Sequence, residues 1–372
     1  MFTTKKIAIV SVINDLATDH RVYKSCLALL ECDYDVLLIG RKLPNSPELP
    51  LWPHRSSRMT LIFRKGPLFY FFFNVRLFFL LLFRKADLLY ANDLDTLLPN
   101  FIVSRLKKIP LIYDSHELYT EVPELQHHPL KRKIWKQLER WIVPQLKHCV
   151  TVNESIARVF ENEYHVPFCV VRNIPDMPEN FVPKSKTELG LPLNKKLILL
   201  QGTGINVQRG AEELVDAMMM LEGCLLLIIG SGDVWPVLKE KIKGPYADRV
   251  RLIDRLSKSE LMHFTHHADI GISIDKDTNL NYLYSLPNKV FDYIQAGIPI
   301  LASRLPEIEK IINTFGVGDF IPDHVPQHIA NKIHQLLNSS ELALYKQNTS
   351  KARLELNWGF EKQKLIAVIR NI

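Results

Sequence analysis

Residues 282–299 read YLYSLPNKVFDYIQAGIP, a loop of turn formers running into a short helix that stops at Ala-Gly. Pro287 and Asn288 open that helix and Lys289 follows. A helix start presents free backbone N–H groups and a positive dipole end, which suits phosphate. Lys289 adds a compact cation. Asp292 lies one turn on, roughly on the side of Asn288. An acid would repel phosphate, but it suits the hydroxyls of a ribose. Phosphate donors beside a hydroxyl acceptor describe a holder for a nucleoside diphosphate. An ordinary capped helix is the plainer reading of the same letters.

A second junction, QGTGINVQRG at 201–210, points the same way. Gly202 and Gly204 allow a tight turn around Thr203, and Arg209-Gly210 opens the next helix. Arg209 offers a forked cation beside a helix N-terminus, which suits a diphosphate. The spacing is not GxGxxG, so no dinucleotide fingerprint is present. Gly230-Ser231-Gly232 repeats the theme more weakly. Arg255 follows another strand end and borders the space for a base, while Ser257 and Glu260 form a capping box.

The first half has polar strand ends of its own. NDLATDHRV supplies Asn14, Asp15, Asp19 and Arg21, and YANDLDTLLP supplies Asn92, Asp93 and Asp95. IYDSHELYTE supplies Asp114, His116 and Glu117. One such group reads as caps; three in one sheet read as a polar cleft. Arg21 is expected to pair with nearby Asp19. Asp93-Leu94-Asp95 and Asp275-Lys276-Asp277 match the short DxD pattern of a divalent-cation ligand, a pattern common by chance. No metal is expected.

These junctions need a frame. The chain has 372 residues, 47% hydrophobic and 23% charged, with a net charge of +7. That length suggests about two domains, and the basic surplus suits phosphate-bearing ligands or anionic lipid. Short apolar runs alternate with helical patterns, the signature of doubly wound parallel sheets. Strands are expected at 6–13, 35–40, 60–63, 87–92, 110–116, 150–153 and 169–173. After a proline-bearing polar linker at 173–196, they resume at 197–202, 225–230, 250–254, 269–274 and 299–303. The reading is α/β, with an acceptor-side domain over 1–176, a nucleotide-binding domain over 177–354, and a final helix, 355–372, crossing back to the first. Cys26, Cys32, Cys149, Cys169 and Cys224 form no CxxC pair and read as reduced thiols. No signal peptide is seen, and a cytoplasmic location is expected.

Two segments raise the question of a membrane. LFYFFFNVRLFFLLLF at 68–83 is shorter than the roughly 20 residues of a span and is broken by Asn74 and Arg76. It reads as a core helix or as one resting on a membrane surface. KRKIWKQLERWIVPQLK at 131–147 is basic, with Trp135 and Trp141, and reads as a solvated face over core tryptophans or as a second lipid-facing helix.

Taken together, NDLATDHRV, YANDLDTLLP, IYDSHELYTE, VVRNIPD, QGTGINVQRG and SLPNKVFDYIQAGIPILAS resemble the GT-B glycosyltransferases near the retaining family 4 enzymes, over nearly the whole length. The resemblance implies two facing Rossmann-like domains. It places a nucleoside-diphosphate sugar, with UDP or GDP, mainly in the second and a glycan or lipid-linked acceptor mainly in the first. It matches Arg209 to a phosphate ligand, Asp292 to a ribose-binding acid, 285–289 to the diphosphate loop, and His116 to a histidine near the transferred sugar. The sequence departs from the family pattern at four points, the first being that the second acid, Asp292, is an aspartate, one methylene short. Tyr284 stands where a glutamate is usual, Thr203 where a basic residue is usual, and Asn14-Asp15 where a glycine pair is usual.

The implied reaction is sugar transfer with retention, by front-face attack assisted by the leaving phosphate, with no metal and no tightly bound cofactor. Arg209 and Lys289 would stabilise the leaving phosphate. His116 would position sugar or acceptor, or simply hold the DSHE turn. The implied setting is bacterial-type surface polysaccharide assembly, with peripheral contact to an anionic membrane and no nucleic acid. Two rivals are a sugar-nucleotide 2-epimerase and a non-catalytic nucleotide-binding scaffold in a glycan-assembly complex.

Overall fold

The computed structural model describes residues 5–176 and 181–372. Residues 177–180, within the linker and at the expected start of the second domain, lie outside the described residues. The chain divides into two compact units, one of 1–173 with 359–372 and one of 174–358.

The first unit holds a seven-stranded sheet in the order β3-β2-β1-β4-β5-β6-β7. Its strands are β1 (Lys6–Asp15), β2 (Tyr34–Arg41), β3 (Arg55–Met59), β4 (Leu88–Asn92), β5 (Leu111–Ser115), β6 (His148–Thr151) and β7 (Cys169–Val170). Every pairing is parallel. β4 and β5 are buried along their whole length, as strands covered by helices on both faces must be. Chain order reverses between β1 and β4, and polar strand ends crowd the carboxyl edge there.

One strand departs from the sequence reading. The expected run at 60–63 is not a strand; the edge is formed by 55–59 instead. β2 sets this register, with Leu37 opposite Arg55 and Arg41 opposite Met59. Apolar content misleads at a sheet edge, where one face meets water and the residues are polar. Ile62, inside the expected run, is 93% exposed.

The second unit holds a six-stranded parallel sheet in the order β10-β9-β8-β11-β12-β13. Its strands are β8 (Lys196–Gly202), β9 (Cys224–Gly230), β10 (Val250–Asp254), β11 (Ile270–Ser273), β12 (Ile300–Ala302) and β13 (Gly318–Phe320). β13 carries no apolar run, and sequence patterning misses it. Two apolar layers cover the sheet, one with Leu214, Val215 and Ile333 and the other with Phe291, Ile294 and Ile308. Both units are thus Rossmann-like.

The last helix, Trp358–Arg370, follows a break at Leu356-Asn357 rather than running from 355. Its residues from Gly359 onward belong to the first unit. There Glu361, 3% exposed, accepts the Arg172 backbone N–H at 2.8 Å. Lys362 pairs with Glu31 at 2.8 Å.

Candidate functional site

In the second unit, the cluster begins with a glycine. Gly210 has φ +75°, and a Cβ there would stand 2.5 Å from the carbonyl oxygen of Ile274. Glycine alone satisfies both demands. This close approach sets Arg209 beside Asp275, two residues past β11. Arg209 Nη1 donates to Asp275 Oδ2 at 3.0 Å, and its guanidinium lies 4.4 Å from the ring centroid of Tyr282. From the first turn of the helix Asn288–Ala296, Lys289 Nζ donates to Asp275 Oδ1 at 3.2 Å. Asp275 has no exposed surface. Two cations from separate segments therefore share one buried acid, and the trio carries a surplus positive charge. Burial and the neighbouring Arg209 hold the Lys289 ammonium below the ordinary lysine range, against the pull of Asp275.

Asp292 points to a different partner. Its Oδ2 accepts from Gln201 Nε2 at 3.1 Å, and Gln201 Oε1 accepts the Thr265 hydroxyl at 2.7 Å. Gln201, at the end of β8, is 2% exposed. The helix begins at Asn288 with Pro287 as N-cap and ends on left-handed Gly297, as the sequence suggests. Ser285 Oγ donates to the Tyr282 carbonyl at 2.8 Å. Leu286 packs against the core, Asn288 and Thr203 are exposed, and Gly202 and Gly204 are half-buried. Tyr284 ends the short helix Leu280–Leu283.

Gly230 and Gly232 serve packing. Cβ atoms there would fall 1.7 Å from Gly202 O and 1.9 Å from Ile205 O. They let the loop after β9 lie against the loop after β8, joined by Ile205 N donating to Ser231 O at 3.0 Å. Arg255 is exposed beyond β10, the edge strand, with the expected Ser257–Glu260 capping box just after it. In the second DxD pattern the first acid and the middle lysine have partners of their own. Asp275 is taken by two cations, and Lys276 pairs with Glu213 at 2.5 Å.

In the first unit, the carboxyl ends of β4 and β5 meet. Asp93, directly after β4, has φ 59° and ψ 168°, a conformation that only glycine adopts readily, at a cost of about 1–3 kcal/mol for other residues. Its carboxylate faces His116. Oδ1 accepts the His116 backbone N–H at 2.8 Å, and Oδ2 lies 3.1 Å from Nδ1 of the ring. The other ring nitrogen, Nε2, is 3.6 Å from Asp114. Burial opposes a charge on this ring, but Asp93 and Asp114 together lift its pKa well above the ordinary histidine value. The two acids thus favour the protonated ring.

Asp114 is itself committed. Arg21 binds both its oxygens, Nη2 at 2.6 Å and Nε at 3.2 Å, and the Tyr90 hydroxyl donates at 2.8 Å. Burial is opposed by Arg21 and His116, which hold this carboxyl well below the usual range. Arg21 therefore pairs with Asp114, not with Asp19 as expected from proximity in sequence. Asp19 instead caps the helix His20–Glu31, accepting from Val22 N at 3.1 Å and from Asn14 Nδ2 at 3.2 Å. Asp15 caps the turn Leu16–Thr18, accepting from Ala17 N at 3.2 Å. Asn92 has no exposed surface and braces β4 on β1 by donating to Ser11 O at 3.0 Å. Glu117 is half-buried; burial first, then Asp93 and Glu117, raise the carboxyl of buried Asp95.

Residues 20–176 match the family model Glycosyltransferase Family 4, and residues 195–339 match the model Glycosyl transferases group 1. The chain belongs to the glycosyltransferases. No curated protein matches the sequence. Among solved structures, sucrose-phosphate synthase from Thermosynechococcus elongatus is similar to this glycosyltransferase at TM-score 0.79 and 16% identity, over 99% of each chain. Anabaena HepE in complex with UDP and glucose follows at TM-score 0.74 and 13% identity, over 99% of this chain and 100% of that one. A putative UDP-N-acetylglucosamine 2-epimerase from Listeria monocytogenes reaches TM-score 0.68 and 13% identity, over 99% and 96%. At such identities the likeness is one of fold, and the fold is GT-B, as the sequence motifs imply.

Sequence reasoning missed three members of these clusters in this glycosyltransferase. Gln201 was hidden at the end of an apolar strand, although a glutamine there needs a partner. Asp275 was read as one half of a metal pattern. Tyr90 lay inside a strand motif that drew attention only to its acids.

Proposed function

We propose that this glycosyltransferase takes a sugar from a nucleoside-diphosphate donor, with UDP the favoured nucleotide, and passes it with retention to a hydroxyl of a glycan or lipid-linked glycan. The convergence of Arg209 and Lys289 on buried Asp275 carries the reading. Lys289 has N–H groups beyond the one given to Asp275, and the guanidinium has several. A diphosphate could be held by both cations beside the N-terminus of the helix Asn288–Ala296. As the glycosidic bond breaks, the leaving phosphate gains negative charge, and two prearranged cations stabilise it without reorganising. They supply the charge for which some transferases recruit a divalent ion, so we expect turnover to survive chelation. Asp292, steadied by Gln201, would accept the ribose hydroxyls.

On the same reading His116 is the catalytic group of the first unit. Its two ring N–H groups face Asp93 and Asp114, so it does not act as a base; it offers sugar or acceptor a fixed positive charge and holds the turn that lines the first unit's polar strand ends. Proton removal from the acceptor falls to the departing phosphate, which suits front-face attack. UDP bound in HepE favours uridine over guanosine as the base to test first.

The test is calorimetric titration with UDP, GDP and their common sugar conjugates, beside Arg209→Ala and Asp292→Ala. Saturable binding of one nucleotide, weakened in both variants, supports the donor site; binding of none overturns it. Tyr284, at the place of a family glutamate, favours a second reading of nucleotide binding without transfer. Donor binding with no turnover across an acceptor panel would select it. Interconversion of a sugar nucleotide without acceptor would select the epimerase.

A further inference from the structure

The helix Gly66–Phe83 is apolar on both sides. Phe69, Phe73, Leu77 and Leu81 are buried; their spacing of four makes them one stripe. On the opposite side Leu68, Phe71, Phe72, Val75, Phe79 and Phe83 are between 38% and 80% exposed. A surface helix of a soluble domain puts polar residues there, and a contiguous apolar face of this size marks an interaction site. The preceding loop extends it. Phe63 stacks on Phe72 at 5.3 Å between ring centroids, and Ile62 is 93% exposed.

The charges around this face are of one sign. Residues 49–86 contain Arg55, Arg58, Arg64, Lys65, Arg76, Arg84 and Lys85 and no aspartate or glutamate. Arg64 and Lys65 stand directly before the helix and Arg84 and Lys85 directly after it. The helix Pro129–Ile142, in the same unit, repeats the pattern. Its Leu130, Ile134 and Trp141 share one face and are 72%, 58% and 52% exposed, with Lys131 and Lys133 exposed beside them.

We infer that the face Leu68–Phe71–Phe72–Val75–Phe79–Phe83 docks in the plane of an anionic lipid bilayer. A protein partner would need to meet a surface with no acid to orient it; anionic headgroups meet aromatics with basic residues at both ends. A helix lying in the plane fits the fold better than one that spans. The 18 residues of this helix are long and apolar enough to cross a membrane by composition alone, but Phe69, Phe73, Leu77 and Leu81 are given to the core of the first unit, and a spanning helix would have to withdraw them. The inference does not rest on the donor site. It gives the acceptor chemistry a setting, because an enzyme held in this plane meets lipid-linked glycans at the surface.

The experiment is co-sedimentation of the full chain with vesicles of phosphatidylcholine alone and of phosphatidylcholine with phosphatidylglycerol. The variant Phe72→Gln/Phe79→Gln and the variant Arg64→Ser/Lys65→Ser/Arg84→Ser/Lys85→Ser run alongside. Their melting temperatures and nucleotide titrations report on the fold and the donor site separately. The expected result is binding to the anionic vesicles, weakened about tenfold or more by either variant and by high salt, since several basic residues act at the surface. Absent binding by the wild type, or equal binding by all three proteins, overturns the inference. A dimer in light scattering that Phe72→Gln/Phe79→Gln dissolves, with no vesicle binding, also overturns it in favour of a second copy of the chain.

Discussion

One carboxylate fixes His116 twice: Asp93 accepts the histidine's own backbone N–H at 2.8 Å and stands 3.1 Å from its ring Nδ1. The turn and the ring are therefore one rigid piece. The backbone contact braces the turn, and the ring contact fixes the orientation of the imidazole.

The pH dependence follows in sign. The folded-state pKa of His116 is raised, so its ion-pair contribution is complete below the unfolded value of about 6.5. It is lost as pH rises through the raised value. We expect the stability difference between wild type and His116→Gln to shrink from neutral to alkaline pH in denaturant titrations. A difference independent of pH would show an uncharged ring.

Backbone and carboxylate of Asp93 can be separated. Asp93→Gly suits the backbone but removes the anchor, while Asp93→Ala keeps the strain and removes the anchor as well. Glycine should be the more stable of the two by about 1 kcal/mol or more. Both should lower activity and bring the His116 titration, followed by NMR, back toward ordinary values.

Asp275→Asn leaves Arg209 and Lys289 facing each other without their shared anion. Removing one member of a buried ion pair costs about 3–5 kcal/mol; with Arg209 partly exposed, about 2–3 kcal/mol is expected. UDP should then raise the melting temperature of the variant more than that of the wild type, because the diphosphate restores the missing charge. An equal rise would place the nucleotide elsewhere.

Gln201→Leu keeps the volume but deprives the Thr265 hydroxyl and Asp292 of their bridge. The loss should be about 1–3 kcal/mol of stability, with nucleoside binding weakened more than binding of inorganic diphosphate. Calorimetry with the two ligands reads the contrast.

Gly210→Ala tests the approach that seats Arg209. A methyl group would lie 2.5 Å from the Ile274 carbonyl oxygen at a φ of +75°, so a loss of about 2 kcal/mol or more is expected. Nucleotide affinity should fall as well, although Arg209 itself is unchanged.

The sheets were legible because buried parallel strands write themselves as apolar runs, as at 225–230 and 88–92. Edge strands do not: β3 is RSSRM and β13 is GDF, shaped by their neighbours' registers. The two cations at helix starts were legible as local motifs, since Arg209-Gly210 and Pro287-Asn288-Lys289 each lie within a few residues. Their common acid was not, because nothing local ties Asp275 to either. The partner of Arg21 was hidden in the same way. Asp19 was two residues away but was needed as a helix cap, and Asp114 reaches Arg21 only once β5 is in place.

The final helix has a consequence for synthesis. The first unit is completed by residues 359–372, made only after the whole of 174–358. At ribosomal rates that interval is about ten to forty seconds. During it the backbone N–H of Arg172 lacks its acceptor, Glu361, and the surface that Leu365, Ile366 and Ile369 will cover has not yet received them. The nascent chain thus passes through a stage in which its first-made sheet is finished but still lacks the cover of this last helix, a window open to holdase chaperones and proteases.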